Sequence, residues 1–367
     1  MGERYGIAML ESLKKTPLEK LRPRWTLPKI LAFVVSASVH LLSLALFFLG
    51  LFLIASGYPK VPPVLYGMAA CVFAWFMRPK PGKIPSEDVV SQTEFPALYA
   101  LVNDVARELG GRPIHYIVVN ENFNAAYGVL GWRRVPVLWI GLPLWVSLRP
   151  QERLALLGHE IAHGINGDGA RSFVVSSALA ALDQWIVYLR APLAHAATLQ
   201  AILAGYLTWI LSVPFAVVQR ALAQLLWFNK QQAEYFADHL GSMIAGTDAT
   251  ISTLQRLACK EHLDDVLLRN VYSNSQSGAH MLSLFRQRIE NLPHREWLRL
   301  ARATRREKAR LDASHPPTAH RIEFLEAKRV AEPRIIAEEN QMSAVDRELS
   351  SLQERLGGRL IARHARD

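Results

Sequence analysis

Two histidines four residues apart, with a glutamate after the first, form the segment of this chain best suited to chemistry: His159-Glu160-Ile161-Ala162-His163. On a helix, positions i and i+4 share a face, so both imidazoles reach a single metal ion. Glu160 then stands beside that face, close to an attacking water and outside the ligand set. Neutral imidazole suits zinc, and zinc lowers the pKa of a water towards neutrality. A carboxylate next to it takes the proton as the water attacks a peptide carbonyl. Five residues alone would equally describe a polar helix with two surface histidines. The flanks, Leu154-Ala155-Leu156-Leu157-Gly158 before and Gly164-Ile165 after, are apolar instead. Two histidines and a glutamate in such a helix are costly unless they have partners. The expected class is metal-assisted hydrolysis.

A catalytic zinc needs a third protein ligand and an open position. The metzincin spacing would place glycine at 166 and histidine at 169, where this chain has Asn166 and Gly169. Asp183 is a nearby carboxylate, but it stands alone in a strongly apolar stretch. Glu234 is the better candidate, in Gln232-Ala233-Glu234-Tyr235-Phe236-Ala237-Asp238. Glu234 and Asp238 are again i and i+4. One carboxylate binds the metal while the other accepts a hydrogen bond from a ligand histidine and fixes its orientation.

These residues need elements to hold them. Pro150 and Glu152 open a helix through residues 154–165. Residues 93–109 have helical periodicity, with Phe95, Leu98, Leu101, Val102 and Val105 on one face. Residues 113–120 read as a strand, and 124–129 with 135–140 as a strand pair joined around Gly131. Two blocks, 30–77 and 173–228, concentrate the apolar residues. Residues 30–55 are long enough to span a bilayer, with 61–77 as a shorter second span. Residues 173–188 carry Asp183 and Gln184, and either span with Asp183 facing protein or pack on the domain. Residues 196–218 form a better span. Glu234 must lie on the same side of a membrane as His159, so the chain between them crosses an even number of times. Residues 1–29 form a basic N-terminal segment, and 78–171 begin a folded catalytic domain. Residues 172–228 are a second apolar helical pair, 229–330 complete the domain, and 331–367 read as a charged, exposed or partly disordered tail.

The sequence has 367 residues and a net charge of +10. No zinc-finger, RNP-like or helix–turn–helix pattern accompanies that charge, so nucleic acid is not an expected partner. Basic flanks on apolar segments point to a membrane surface. The two cysteines, Cys71 and Cys259, sit in no CxxC pair, and no disulfide framework is expected. The polar stretch ahead of the first apolar run is too long for a signal peptide. Both flanks of the first hairpin are basic, which places both termini and the catalytic domain in the cytoplasm.

The chain resembles the HtpX-like and CAAX-prenyl-protease-like membrane zinc peptidases, gluzincins of peptidase family M48. The shared features are His159–His163, the ExxAD segment at Glu234–Asp238, Asn124-Ala125 upstream, and His315-Pro316-Pro317 followed by Arg321-Ile322. The resemblance implies a mainly α (α+β) fold, with several membrane helices and a zincin-like domain holding a small sheet. It implies one Zn2+ per chain on His159, His163 and Glu234, and Asp238 bracing a ligand. It also implies an edge strand at Asn124, Ala125 and Ala126 that pairs with an extended substrate. His315 or Arg321 would bind the oxyanion or brace the site. The implied substrates are polypeptides, including misfolded membrane proteins, and the implied location is a bacterial plasma membrane. The chain departs from the family in Asn-Ala-Ala-Tyr, where Asn-Ala-Phe is usual. About four candidate spans, rather than seven, favour the HtpX-like branch.

Two competing readings are a catalytically silent, membrane-anchored zinc-fold interaction protein and a protease with its site inside the membrane. The intact Glu160 opposes the first, because zinc binding alone does not need it. Polar stretches at 149–152 and 166–171 bracket the motif too closely for a span, which opposes the second.

Overall fold

The computed structural model describes residues 2–21, 26–78, 82–83, 85–131, 133–165, 169–194, 198–272, 277–306 and 315–365. The chain begins with α1 (Gly2–Lys15), α2 (Leu27–Gly57) and α3 (Val61–Met77). Next come β1 (Val89–Val90), α4 (Pro96–Glu108), β2 (Tyr116–Asn120), β3 (Ala125–Leu130) and β4 (Val135–Gly141). Then follow α5 (Leu142–Ser147), α6 (Pro150–Ile165), α7 (Gly169–Ala194) and α8 (Leu199–Ala245). The remainder is α9 (Thr247–Arg256), α10 (Lys260–Tyr272), α11 (Gly278–Glu290), α12 (His294–Arg305), α13 (Thr318–Ala327) and α14 (Glu339–His364). The fold is mainly helical with one small mixed sheet.

The chain divides into two units. One comprises Met1–Pro23, Lys83–Asp168 and Lys230–Asp367; the other comprises Arg24–Gly82 and Gly169–Asn229. In the first, the sheet has the order β1-β2-β4-β3. β2 and β4 are parallel, and the outer pairs are antiparallel. The apolar stripe of α4, with Leu98, Leu101, Val102 and Val105, is fully buried against one sheet face, where Ile117, Leu138 and Ile140 also lie. Leu154, Leu157 and Ile161 of α6 join the same core. This burial is what fixes the metal-binding helix against the sheet, as the period-3.6 and period-2 patterns require.

Residues 339–364 are not a solvated tail but the helix α14. Met342, Val345, Leu349, Leu356 and Leu360 of α14 lie in the main core. Its charges are also committed. Glu348 accepts from the free amides of Ala97 and Leu98 at the start of α4, at 2.7 and 2.9 Å. Glu354 does the same for Gly278 and Ala279 at the start of α11. A helix leaves its first N–H groups unpaired, and a carboxylate there also meets the positive end of the dipole. Arg355 and Arg359 both reach Asp88. The basic N-terminal segment is likewise folded: Met9, Leu10, Leu13 and Leu21 are buried with Tyr235, Phe236 and Phe324.

In the second unit, α2 and α8 are long and apolar enough to cross a membrane, and only 17% and 11% of their most apolar windows are buried. Leu41, Leu42, Phe48, Phe52, Leu203 and Leu207 are each more than half exposed. A contiguous surface of this kind is untenable in water and fits hydrocarbon. The chain is therefore membrane-associated. α3 is apolar but only 17 residues long. α7 carries Asp183, Gln184 and Arg190 in an otherwise largely apolar helix. The hairpin α2–α3 is tightly packed: a Cβ at Gly67 would stand 2.6 Å from the Gly50 carbonyl.

Candidate metal centre

α6 and the last part of α8 bring the ligand candidates together. They approach closely because both are glycine where they cross. A Cβ at Gly241 would lie 3.1 Å from the Ala155 carbonyl and 3.3 Å from the His159 amide. One at Gly158 would lie 3.1 Å from the Gly241 Cα. Two turns before Gly241, Glu234 then faces the two histidines. The Nε2 atoms of His159 and His163 are 3.3 Å apart. Each is 3.6 Å from a carboxylate oxygen of Glu234.

This geometry fits a metal ion. Nitrogen and oxygen ligands held at 2.0–2.2 Å in a tetrahedron stand about 3.3–3.6 Å from one another. The His159 Nδ1 lies 3.0 Å from Asp238 and donates to it, which leaves the Nε2 lone pair for a cation. The surrounding charge agrees. Glu160, Glu234 and Asp238 face one guanidinium, Arg321, so the cluster carries two negative charges in excess that a divalent cation cancels. The three ligands form the one metal-ready group among the described residues.

Asp238 is fully buried. Arg321 donates to both its oxygens, Nε at 2.8 Å and an Nη at 2.6 Å. Burial alone would raise the Asp238 carboxyl. The Arg321 charge and the hydrogen bonds from Arg321 and His159 outweigh burial and hold it below its usual range. His315 Nδ1 donates to Glu234 at 2.7 Å. For Glu234 too, burial is opposed by the His315 bond and by the nearby Arg321 charge, and the carboxyl is held well below the usual range. Both acids are thus kept ionised. Glu160 is half-buried on α6, and its charge favours the cations of His159, His163 and Arg321.

Sequence reading left His315 and Arg321 between binding an oxyanion and bracing the site. The fork of Arg321 is occupied by Asp238. His315 touches the ligand carboxylate and remains half open to solvent, 57% exposed. The segment His315-Pro316-Pro317, a helix stop by composition, instead opens α13.

β3 is an edge strand beside α6. The Gly141 amide donates to the Asn124 carbonyl at 2.8 Å, and Ala126 stands opposite Trp139. Antiparallel pairs alternate, so Asn124, Ala126 and Gly128 direct their amides and carbonyls to β4. Ala125, Tyr127 and Val129 direct theirs to the open edge. Of Asn124, Ala125 and Ala126, only Ala125 thus turns its backbone groups outward, together with Tyr127 and Val129. Tyr127 also lies against α6: a Cβ at Gly164 would stand 2.6 Å from its phenol oxygen.

The sequence profile of Peptidase family M48 matches residues 92–329. The chain belongs to peptidase family M48. That span includes every ligand candidate, the edge strand and the His-Pro-Pro segment. Curated relatives in the family are named protease HtpX. The one from Stutzerimonas stutzeri is 25% identical over 54% of this chain and 71% of its own length. The one from Chromohalobacter salexigens is 24% identical over 61% and 69%. The one from Alkalilimnicola ehrlichii reaches 31% identity over 33% and 42%. No solved structure matches the chain. With the M48 match, the His–His–Glu group and the apolar helices, the chain is a membrane-associated metallopeptidase.

The M48 assignment leaves three contributors that composition did not reveal. The glycines at the α6–α8 crossing signal only through their spacing from the ligands, Gly158 before His159 and Gly241 after Glu234. The N-terminal helix α1 supports the ligand helix from behind through Tyr235 and Phe236, and its signal was Met9, Leu10 and Leu13 on one face. Tyr127 lies in the expected strand, one residue beyond Ala126.

Proposed function

We propose that this M48 protein hydrolyses internal peptide bonds of extended polypeptides with one Zn2+ held by His159, His163 and Glu234. The observation that carries this reading is the spacing of the three ligand atoms, 3.3 and 3.6 Å. Zinc in such a set polarises a carbonyl and acidifies a water. Glu160 accepts the proton of the attacking water and passes it to the departing amine. Asp238 keeps His159 in the tautomer whose Nε2 is free. Arg321 holds Asp238 ionised and aimed. His315, half open to solvent, fixes that carboxylate through its Nδ1–H. The intact Glu160 favours turnover over a silent metal-binding role.

The test is metal removal. The full chain in detergent, treated with a chelator, should lose cleavage of an unfolded test protein, and one equivalent of zinc should restore it. Cleavage that survives with no metal bound refutes the reading.

The open edge of β3 supports substrate alignment by backbone pairing. Ala125→Pro removes an outward amide and spares the ladder. It should raise KM for a peptide by about tenfold, the loss of a hydrogen bond at ~1.4 kcal/mol. Ala126→Pro removes a ladder amide and should lower Tm instead. Equal KM values for Ala125→Pro and the parent would remove the edge from the binding site.

The orientation follows from the basic flanks, with both termini and the catalytic unit in the cytoplasm. Reporter fusions after Lys83 and after Asp367 should both read cytoplasmic. An external signal from either reverses the assignment.

A further inference from the structure

The membrane unit holds ionisable residues that peptide hydrolysis does not use. The end of α3 and the middle of α7 enclose a groove of about 390 Å³ walled by Arg78, Asp183, Gln184 and Tyr188. Through Tyr188 it continues into a hollow of about 320 Å³ with apolar walls that include Phe73, Phe76, Trp185 and Leu189. A cation and a carboxylate thus stand at one mouth of an apolar slot.

Each polar group is only partly used. The Arg78 guanidinium stacks on the Trp75 ring, 3.3 Å from its centroid, which leaves its N–H edge available. Asp183 Oδ1 accepts from Gln219 at 3.4 Å, a long bond for a carboxylate. Gln184 donates to the Tyr188 hydroxyl at 2.8 Å. Trp185 is 1% exposed, and its indole N–H has no acceptor among the described residues. A buried N–H without a partner calls for an acceptor, and acids within membrane segments are kept for ligands or partners.

We propose that the α3–α7 groove binds one phospholipid with a zwitterionic ethanolamine headgroup. Its phosphate meets Arg78, its ammonium meets Asp183, an ester carbonyl accepts from Trp185, and an acyl chain lies along Phe73, Phe76 and Leu189. Charge complementarity selects this occupant. A choline headgroup has no N–H for Asp183, and a glycerol headgroup has no cation for it. The inference rests on the membrane reading of α2, α3, α7 and α8, and carbonate extraction of membranes tests that separately.

The experiment uses the full chain in nanodiscs containing equal ethanolamine, choline and glycerol phospholipids. Native mass spectrometry after release counts retained lipid. One ethanolamine lipid should be retained, with about tenfold preference over choline, the worth of one charge-assisted hydrogen bond. Asp183→Asn should erase that preference, Arg78→Gln should release lipid of every class, and Arg78→Lys should keep it. Zinc content and cleavage of a soluble unfolded protein should match the parent in each variant, which separates lipid loss from misfolding. Retention and preference equal to the parent in both Asp183→Asn and Arg78→Gln, preference for the glycerol lipid, or displacement by a transmembrane peptide would each overturn the proposal.

Discussion

Glu160→Gln should lower peptide cleavage by about a thousandfold while the protein keeps a full equivalent of zinc. A positioned acid or base contributes about 10²–10⁴-fold, and glutamine has the shape of glutamate without its basicity. Nothing in the ligand geometry depends on this side chain. The three ligand atoms come from His159, His163 and Glu234, and the bracing bonds come from Asp238, Arg321 and His315. Loss should therefore fall on kcat, with KM for a peptide changed little. The measurement pairs metal analysis with single-turnover cleavage. A variant that cleaves at the parent rate removes Glu160 from the mechanism. One that loses both metal and activity would make it a structural residue.

Arg321→Met should destabilise the catalytic unit by about 3–5 kcal/mol, because it strips the paired guanidinium from a fully buried carboxylate. Tm should fall by about 10 °C. The site should suffer too. Without Arg321, Asp238 takes up a proton more readily and loses its claim on the His159 Nδ1–H. His159 is then free to present the wrong tautomer, and zinc affinity should drop by about 10–100-fold, as when such outer partners are lost elsewhere. Arg321→Lys supplies charge without the two-pronged geometry and should recover only part of either loss. Competition against a zinc chelator reads the affinity, and thermal melting reads the stability. Parent-like values in both would show that Asp238 needs no partner.

The chemistry of this chain was legible because its residues repeat at helical spacing. His159 and His163, like Glu234 and Asp238, are four apart, and the period alone places each pair on one face. The strand pair showed itself as two short runs on either side of Gly131. What stayed hidden depends on partners far along the chain. Met342, Val345, Leu349, Leu356 and Leu360 have helical spacing, but the charges between them made the segment look solvated. Those charges serve Ala97, Gly278 and Asp88, which no local pattern connects to residues 348–359. The crossing at Gly158 and Gly241 is similar: each glycine reads as a weak point in a helix until the other is placed against it. The outward and inward amides of β3 required the register with β4, since a one-residue slip would exchange them.

The carboxylates of α14 bear on the order of assembly. Glu348 and Glu354 close the open ends of two helices that a ribosome makes much earlier. The catalytic unit is threaded from three stretches of chain, with apolar segments between them, and the stretch from 339 to 364 is made after everything it closes. A nascent chain that already carries both histidines and Glu234 still lacks these closures. A protein interrupted before residue 339 would carry the complete ligand set on a scaffold without these closures.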